Sequence, residues 1–63
     1  MKANITRTQY HTLKAGHPIK IENKGYRKHD QIRFECVGNF GEREETGVMS
    51  VYSVNKKEVE VGL

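Results

Sequence analysis

The spacing of hydrophobic and polar residues changes along the chain, from a helical repeat near the start to alternation in the rest. Tyr10 and Leu13 lie three residues apart, as on one face of a helix. Thr6 and Gln9 have the spacing of a capping box, and a glycine and a proline follow the last apolar residue. The pattern therefore predicts a short helix over residues 7–15.

Alternation of apolar and polar residues predicts strands after this helix. A weaker strand is predicted before it, at residues 2–5, while the glycine-rich, charged stretch 38–47 is typical of a loop. We expect an α+β fold in a single domain, 1–63, with one short N-terminal helix packed on a mostly antiparallel, curled sheet of four to five strands. The strands predicted after the helix are 17–23, 31–37, 48–54 and 58–63.

Composition limits the chemistry that the chain can perform. Its 63 residues suffice for one small core, and its single cysteine excludes an internal disulfide. Alternation points Cys36 inward, as a small buried hydrophobic residue. The three histidines have no partner at metal-binding spacing, so the sequence predicts no metal site and no cofactor.

No group of residues indicates a catalytic site. No spacing matches a nucleophilic motif, and the glycines follow no phosphate-binding pattern. We therefore expect a binding protein and not an enzyme. The chain lacks a long apolar stretch and begins without a signal-type apolar segment, which predicts a cytoplasmic protein with no membrane partner.

Charge is divided unevenly between the two halves of the chain. Residues 1–33 contain eight Lys and Arg and two acids, whereas residues 34–63 contain three and six. This asymmetry predicts a basic face for an anionic partner. The alternative is that the two halves pair with each other in the fold and their charges cancel.

The segment 24–33 has the composition of a nucleic-acid-binding surface, because it surrounds one aromatic residue with four cations. Lysine and arginine neutralise phosphates, and an aromatic ring can stack on an unpaired base. Tyr26 is equally well explained as a core residue at the entrance to a strand. The predicted nucleic-acid-binding residues, for RNA or DNA, are Lys14, Lys20, Lys24, Tyr26, Arg27, Lys28 and Arg33.

The same region resembles the first half of an ASCH/PUA-like domain. The resemblance lies in a short helix ending in Leu13-Lys14-Ala15-Gly16 and in the step Asp30-Gln31-Ile32-Arg33-Phe34, where His29 replaces the family's glycine. It implies a small PUA-like partial β-barrel of the short phage or bacterial type, and RNA or other nucleic-acid binding. The residues after Gly16 depart from the family's pattern, so no catalytic residue and no amidohydrolase activity is implied.

A second function also fits, that of a small phage-type or regulatory protein that binds and modulates a host protein. The final strand is predicted to have an unpaired edge, which would also allow a homodimer through residues 58–63. The residues predicted for this protein interaction are Glu42, Glu44, Glu45, Val59 and Val61.

Overall fold

The computed structural model describes residues 1–38 and 43–63, and in these it contains one helix and five strands. In chain order they are β1 (Lys2–Ile5), α1 (Arg7–Lys14), β2 (Ile19–Glu22), β3 (Gln31–Cys36), β4 (Glu45–Val54) and β5 (Glu58–Gly62). The predicted order of elements is confirmed, including the weak first strand. β4 begins three residues earlier than predicted, inside the stretch that the sequence assigned to a loop.

The strands form one sheet in the order β1-β3-β4-β5-β2, which curls into a half-barrel. β1 runs parallel to β3, and all other neighbours are antiparallel. In the part of the chain that the structure describes, β1 and β2 each have a neighbouring strand on one side only. The chain passes from one of these edges to the other through α1.

The core lies on the concave side of the sheet, between the strands and the helix. It contains Leu13 from α1 and the inward residues of the three central strands, which are Ile32, Phe34, Cys36, Met49, Val51, Val59 and Val61. These positions confirm the predicted alternation and the inward orientation of Cys36. Burying each of the larger side chains contributes roughly 1.5–3 kcal/mol.

Helix α1 starts where the capping box predicts. The backbone N–H of Gln9 donates to Thr6 Oγ1 at 3.1 Å, and the backbone N–H of Thr6 donates to Gln9 Oε1 at 2.9 Å. The Tyr10 ring packs at a tilt against the Phe34 ring, with centroids 6.1 Å apart. An eight-residue helix is unstable alone in water, so this docking on the sheet is what stabilises it.

The predicted edge at the C-terminal strand is wrong. β5 lies between β4 and β2, and Val59 and Val61 are fully buried. The reason is that β2 pairs with β5 along its whole length, from Ile19 opposite Val61 to Glu22 opposite Glu58. Val59 and Val61 are therefore not accessible to a host protein. A homodimer through β5 would require β2 to separate from it.

A glycine makes room for the ring of Phe34 in the core. Gly47 lies directly opposite Phe34 in the β3–β4 pair, and a Cβ atom at Gly47 would lie 2.7 Å from Phe34 Cε2 and Cζ. Because Tyr10 packs on the same ring, Phe34 has little freedom to move aside.

Gly47→Ala is therefore expected to lower the free energy of unfolding by about 1–3 kcal/mol through overpacking. Thr46→Ala, at the neighbouring exposed position of the same strand, is the matched control and should change it by less than about 0.5 kcal/mol. Urea denaturation followed by circular dichroism measures both. Equal stability of the two variants would contradict the close packing of Phe34 on Gly47.

Candidate nucleic-acid interface

Asn23 shapes the start of the loop that joins β2 to β3. The backbone N–H groups of Gly25 and Tyr26 donate to Asn23 Oδ1 at 2.9 and 3.1 Å, which folds the chain back directly after β2. Gly25 supplies the positive φ of 100° that this reversal needs.

Asn23 also attaches this loop to the turn between β4 and β5. Its Nδ2 donates to the carbonyl oxygen of Asn55 at 2.6 Å, and its backbone N–H donates to that of Lys57 at 3.0 Å. The loop after β2 and the β4–β5 turn, 32 residues apart in sequence, therefore lie side by side.

The second half of the loop is a tight turn from Arg27 to Asp30. The backbone N–H of Asp30 donates to the Arg27 carbonyl at 3.1 Å, and the N–H of Arg27 donates to Asp30 Oδ2 at 2.8 Å. His29, the third residue of the turn, has a φ of 74°, as a type II turn requires. Glycine is the usual residue at this position, and the ASCH/PUA-like step has glycine here.

This turn continues into a bulge that holds the loop against β4. The backbone N–H of His29 donates to the Val51 carbonyl, and the N–H of Val51 donates to the Asp30 carbonyl, both at 2.9 Å. Two loop residues thus oppose one residue of β4, an arrangement that often begins with a residue of positive φ.

These attachments bring five exposed cations to one end of the molecule, which we call the basic end. Its members are Lys24, Arg27 and Lys28 from the loop and Lys56 and Lys57 from the β4–β5 turn. Among the described residues, no carboxylate forms an ion pair with any of these five side chains. Asp30, the acid within the loop, accepts a hydrogen bond from the backbone of Arg27.

Sequence reasoning missed Lys56 and Lys57, because they belong to the acidic half of the chain. The signal available was the turn Asn55-Lys56-Lys57 between two strands, which places two lysines at a hairpin tip. Which other segment lies beside that tip depends on the β2–β5 pairing, which the local pattern does not specify.

The other predicted cations lie elsewhere. Lys20 on β2 forms an ion pair with Glu58 at 3.8 Å and is opposite Glu60, so acids of the second half surround it. Lys14 is exposed at the end of α1. Arg33 lies on the convex face of the sheet, between Lys2 and Val48 of the neighbouring strands, and Lys2 itself pairs with Glu35 at 2.8 Å.

Tyr26, the candidate tyrosine, and Tyr52 have opposite environments. Tyr26 is only 8% exposed and belongs to the core, so the explanation as a core residue fits and its ring offers no free face to a base. Tyr52, which sequence reasoning did not single out, is 47% exposed on the convex face of β4. Apolar residues occur in both registers of residues 48–54, so the pattern alone does not specify which face of the strand carries Tyr52.

The acidic residues predicted for a protein interaction do not form one described surface. Glu42 lies outside the described residues. Glu44 is exposed, whereas Glu45 is the half-buried first residue of β4, opposite Cys36.

A cleft of about 220 Å³ separates the free edges of the half-barrel. Its lining includes Lys2, Ala3 and Asn4 of β1 and Ile21 and Glu22 of β2, with Lys24 and Tyr26 from the loop. The backbone N–H of Arg33 donates to the Met1 carbonyl, so the alternation of a parallel ladder turns the backbone groups of Lys2 and Asn4 outward.

The same argument applies to β2. The bond from Asn23 to Lys57 makes residue 23 a hydrogen-bonded position of the β2–β5 ladder, so the backbone groups of Lys20 and Glu22 point outward. Gln9 of α1 covers one of them, because its Nε2 donates to the Lys20 carbonyl at 3.5 Å.

Comparison with protein-family models, curated proteins and solved structures gives no match to this chain. The ASCH/PUA-like resemblance therefore stays a prediction. In residues 1–38 and 43–63, no three His, Cys, Asp or Glu side chains come together as metal ligands would. No described helix is long and apolar enough to span a membrane. The predicted cytoplasmic location and absence of enzymatic activity stay predictions.

The conformation of His29 is testable by substitution. His29→Gly is expected to be at least as stable as the natural chain, since glycine adopts positive φ without steric cost. His29→Val should be less stable than the glycine variant by about 1–2 kcal/mol, because a β-branched residue clashes with its own backbone there. Thermal unfolding of the variants measures the difference, and a valine variant as stable as the glycine one would exclude a positive φ.

Proposed function

We propose that this protein binds nucleic acid through its basic end. The observation that carries the proposal is the pair of Asn23 bonds to Asn55 and Lys57, which joins two basic segments into one surface. Five exposed cations in a small area produce a strong positive potential, and a chain of phosphates is the common biological ligand for such a surface.

The nearby acids weaken this potential only in part. Glu58 is engaged by Lys20, and the Asp30 carboxylate accepts a backbone hydrogen bond. Glu22 lines the same cleft as Lys24, which makes Lys24 the least favourable of the five cations for a phosphate contact. Flexible lysines recognise phosphate as point charges, so we infer binding that depends little on base sequence.

The resemblance to ASCH/PUA-like domains supports the same function. It implies a PUA-like partial barrel that binds RNA or other nucleic acid, and the curled five-stranded half-barrel with one short helix is compatible with that architecture. The positive φ of His29, where the family has glycine, adds support at one position.

If the basic end binds nucleic acid, removing two positive charges from it should lower the affinity more than removing two positive charges elsewhere on the surface. Lys56→Ala with Lys57→Ala should weaken binding to a 15-nucleotide strand at least tenfold at low salt, since two phosphate contacts are lost. The matched control is Lys14→Ala with Arg33→Ala, which removes two exposed cations outside the basic end and should cost less than about threefold. Fluorescence anisotropy measures both, and equal losses in the two double variants would refute the proposed surface.

A protein partner is the second candidate function, and the free edges of β1 and β2 favour it. Their outward backbone groups face the cleft between them, so an extended segment of a host protein could pair there as an additional strand. In this alternative, the host protein pairs with the edges of β1 and β2. It does not pair with the C-terminal strand, which is internal to the sheet.

A pull-down from lysate, performed before and after nuclease treatment, separates the two functions. Asn4→Pro removes an outward N–H of β1 and leaves the bonds to β3, so it should block strand addition without unfolding the chain. A stoichiometric protein that binds the natural chain and is lost with Asn4→Pro would favour the protein partner. Recovery of nucleic acid alone, before nuclease treatment, would contradict it.

A further inference from the structure

Tyr52 has an unusual setting for an exposed aromatic residue. It lies on the convex face of β4, at a bulge in the β4–β5 pair between Val51 and Ser53. Among the described residues, it is the aromatic residue with the largest exposed fraction, since Phe34 and Tyr26 are buried and Tyr10 is half-buried. Leaving half of such a ring exposed costs hydrophobic free energy relative to burying it, so the exposure of Tyr52 calls for a physical reason.

The Tyr52 ring is fixed by packing on Gly62 and by a hydrogen bond from its hydroxyl group. A Cβ atom at Gly62 would lie 2.5 Å from Tyr52 Cε2 and 3.1 Å from Cζ, so the ring lies across the glycine where a side chain would otherwise stand. The Tyr52 hydroxyl donates to the Leu63 carbonyl at 2.8 Å. One part of the ring thus covers the end of β5, and the remainder faces solvent.

Packing on glycine is a structural role, and it explains the covered face of the ring. It does not require the other face to stay open. A ring that is already fixed in orientation loses little conformational entropy when a flat partner stacks on it. The exposed face of Tyr52 is therefore suited to hold a planar ligand.

The position of Tyr52 specifies the kind of planar ligand. Tyr52 directly follows Val51, whose backbone forms hydrogen bonds with His29 and Asp30 of the loop between β2 and β3. In the other direction along the chain, Asn55 lies three positions beyond Tyr52, about 10 Å away at the spacing of a strand, and Lys56 and Lys57 come next. The backbone of Tyr52 thus lies between the two segments of the basic end. Its ring extends from there across Gly62 toward Leu63, so a strand bound at the basic end would place a base on the ring by continuing along the convex face.

Polar residues occupy strand positions near Tyr52. Ser53 is exposed on the same strand, and Gln31 and Ser50 form the neighbouring cross-strand pair. Such hydroxyl and amide groups can bond base edges of any sequence. A duplex keeps its bases stacked inside and cannot present one to this ring.

We propose that Tyr52 is a stacking platform for an unpaired base, so that the basic end selects single-stranded over double-stranded nucleic acid. This inference rests on the proposed function, because the basic end supplies the phosphate contacts. Stacking on one tyrosine should contribute about 5- to 100-fold in affinity for single strands, and nothing for duplexes.

Fluorescence anisotropy with a 15-nucleotide DNA strand, its RNA counterpart, the 15-base-pair duplex and an abasic strand of equal length tests the proposal. Tyr52→Leu should lose about 5- to 100-fold on the two base-bearing strands, and change little on the duplex and the abasic strand. Tyr52→Phe keeps the ring and loses the bond to Leu63, so it should retain affinity within about threefold. Circular dichroism confirms that each variant is folded.

The outcomes separate the two levels of the proposal. If Tyr52→Leu binds single strands as well as the natural chain, stacking is overturned, while binding through the basic end stands. If the natural chain binds none of the four probes, both proposals fail. Should Tyr52→Leu not fold, the ring protons of Tyr52 in the natural chain, assigned with Tyr52→Phe, must shift on addition of the single strand and not on addition of the abasic one. No difference between those two titrations would equally overturn stacking.

Discussion

The attachment of the loop after β2 to the β4–β5 turn is the interaction on which the proposed site depends. Asn23 makes this attachment with its backbone N–H and its side-chain Nδ2, while its Oδ1 accepts two backbone hydrogen bonds within the loop. One residue therefore both shapes the loop and fixes it to the neighbouring turn. The attachment in turn depends on β2 pairing with β5, since that pairing delivers Asn23 to the hairpin. A charged surface thus results from strand topology, because neither basic segment alone contains more than three of the five cations.

The two explanations of the charge asymmetry apply to different parts of the molecule. On the convex face the halves do pair, as Lys2 with Glu35 and Lys20 with Glu58 show. Exposed pairs of this kind contribute about 0–1 kcal/mol each, so their main effect is to neutralise that face. At the end of the half-barrel no such pairing occurs among the described residues, and two lysines of the acidic half add to the positive charge. The charges cancel on the convex face and positive charge accumulates at the basic end, and both results follow from the same strand order.

Local patterns predicted the elements well, and long-range contacts decided what they could not predict. The capping box of Thr6 and Gln9 fixed the helix start, and alternation identified the core positions of β3 and β5. The edge strands were misassigned because β2 and β5 pair across nearly forty residues, and nothing in either sequence names its partner. From the sequence, stacking on a base was predicted for Tyr26, because Tyr26 has cations beside it in the chain. The structure buries Tyr26 beside the cleft between the free edges and leaves Tyr52 exposed on the convex face of β4, and the local pattern of residues specifies neither environment.

The salt dependence of binding tests most directly whether the two basic segments act as one surface. For a single strand, each phosphate contact contributes about −0.7 to the slope of the logarithm of the association constant against the logarithm of salt concentration. Five cations acting together predict a slope of about −3.5 for the natural chain. A slope of about −2, which corresponds to the three loop cations alone, or a slope near zero would contradict the joining of the loop and the turn into one phosphate-binding surface.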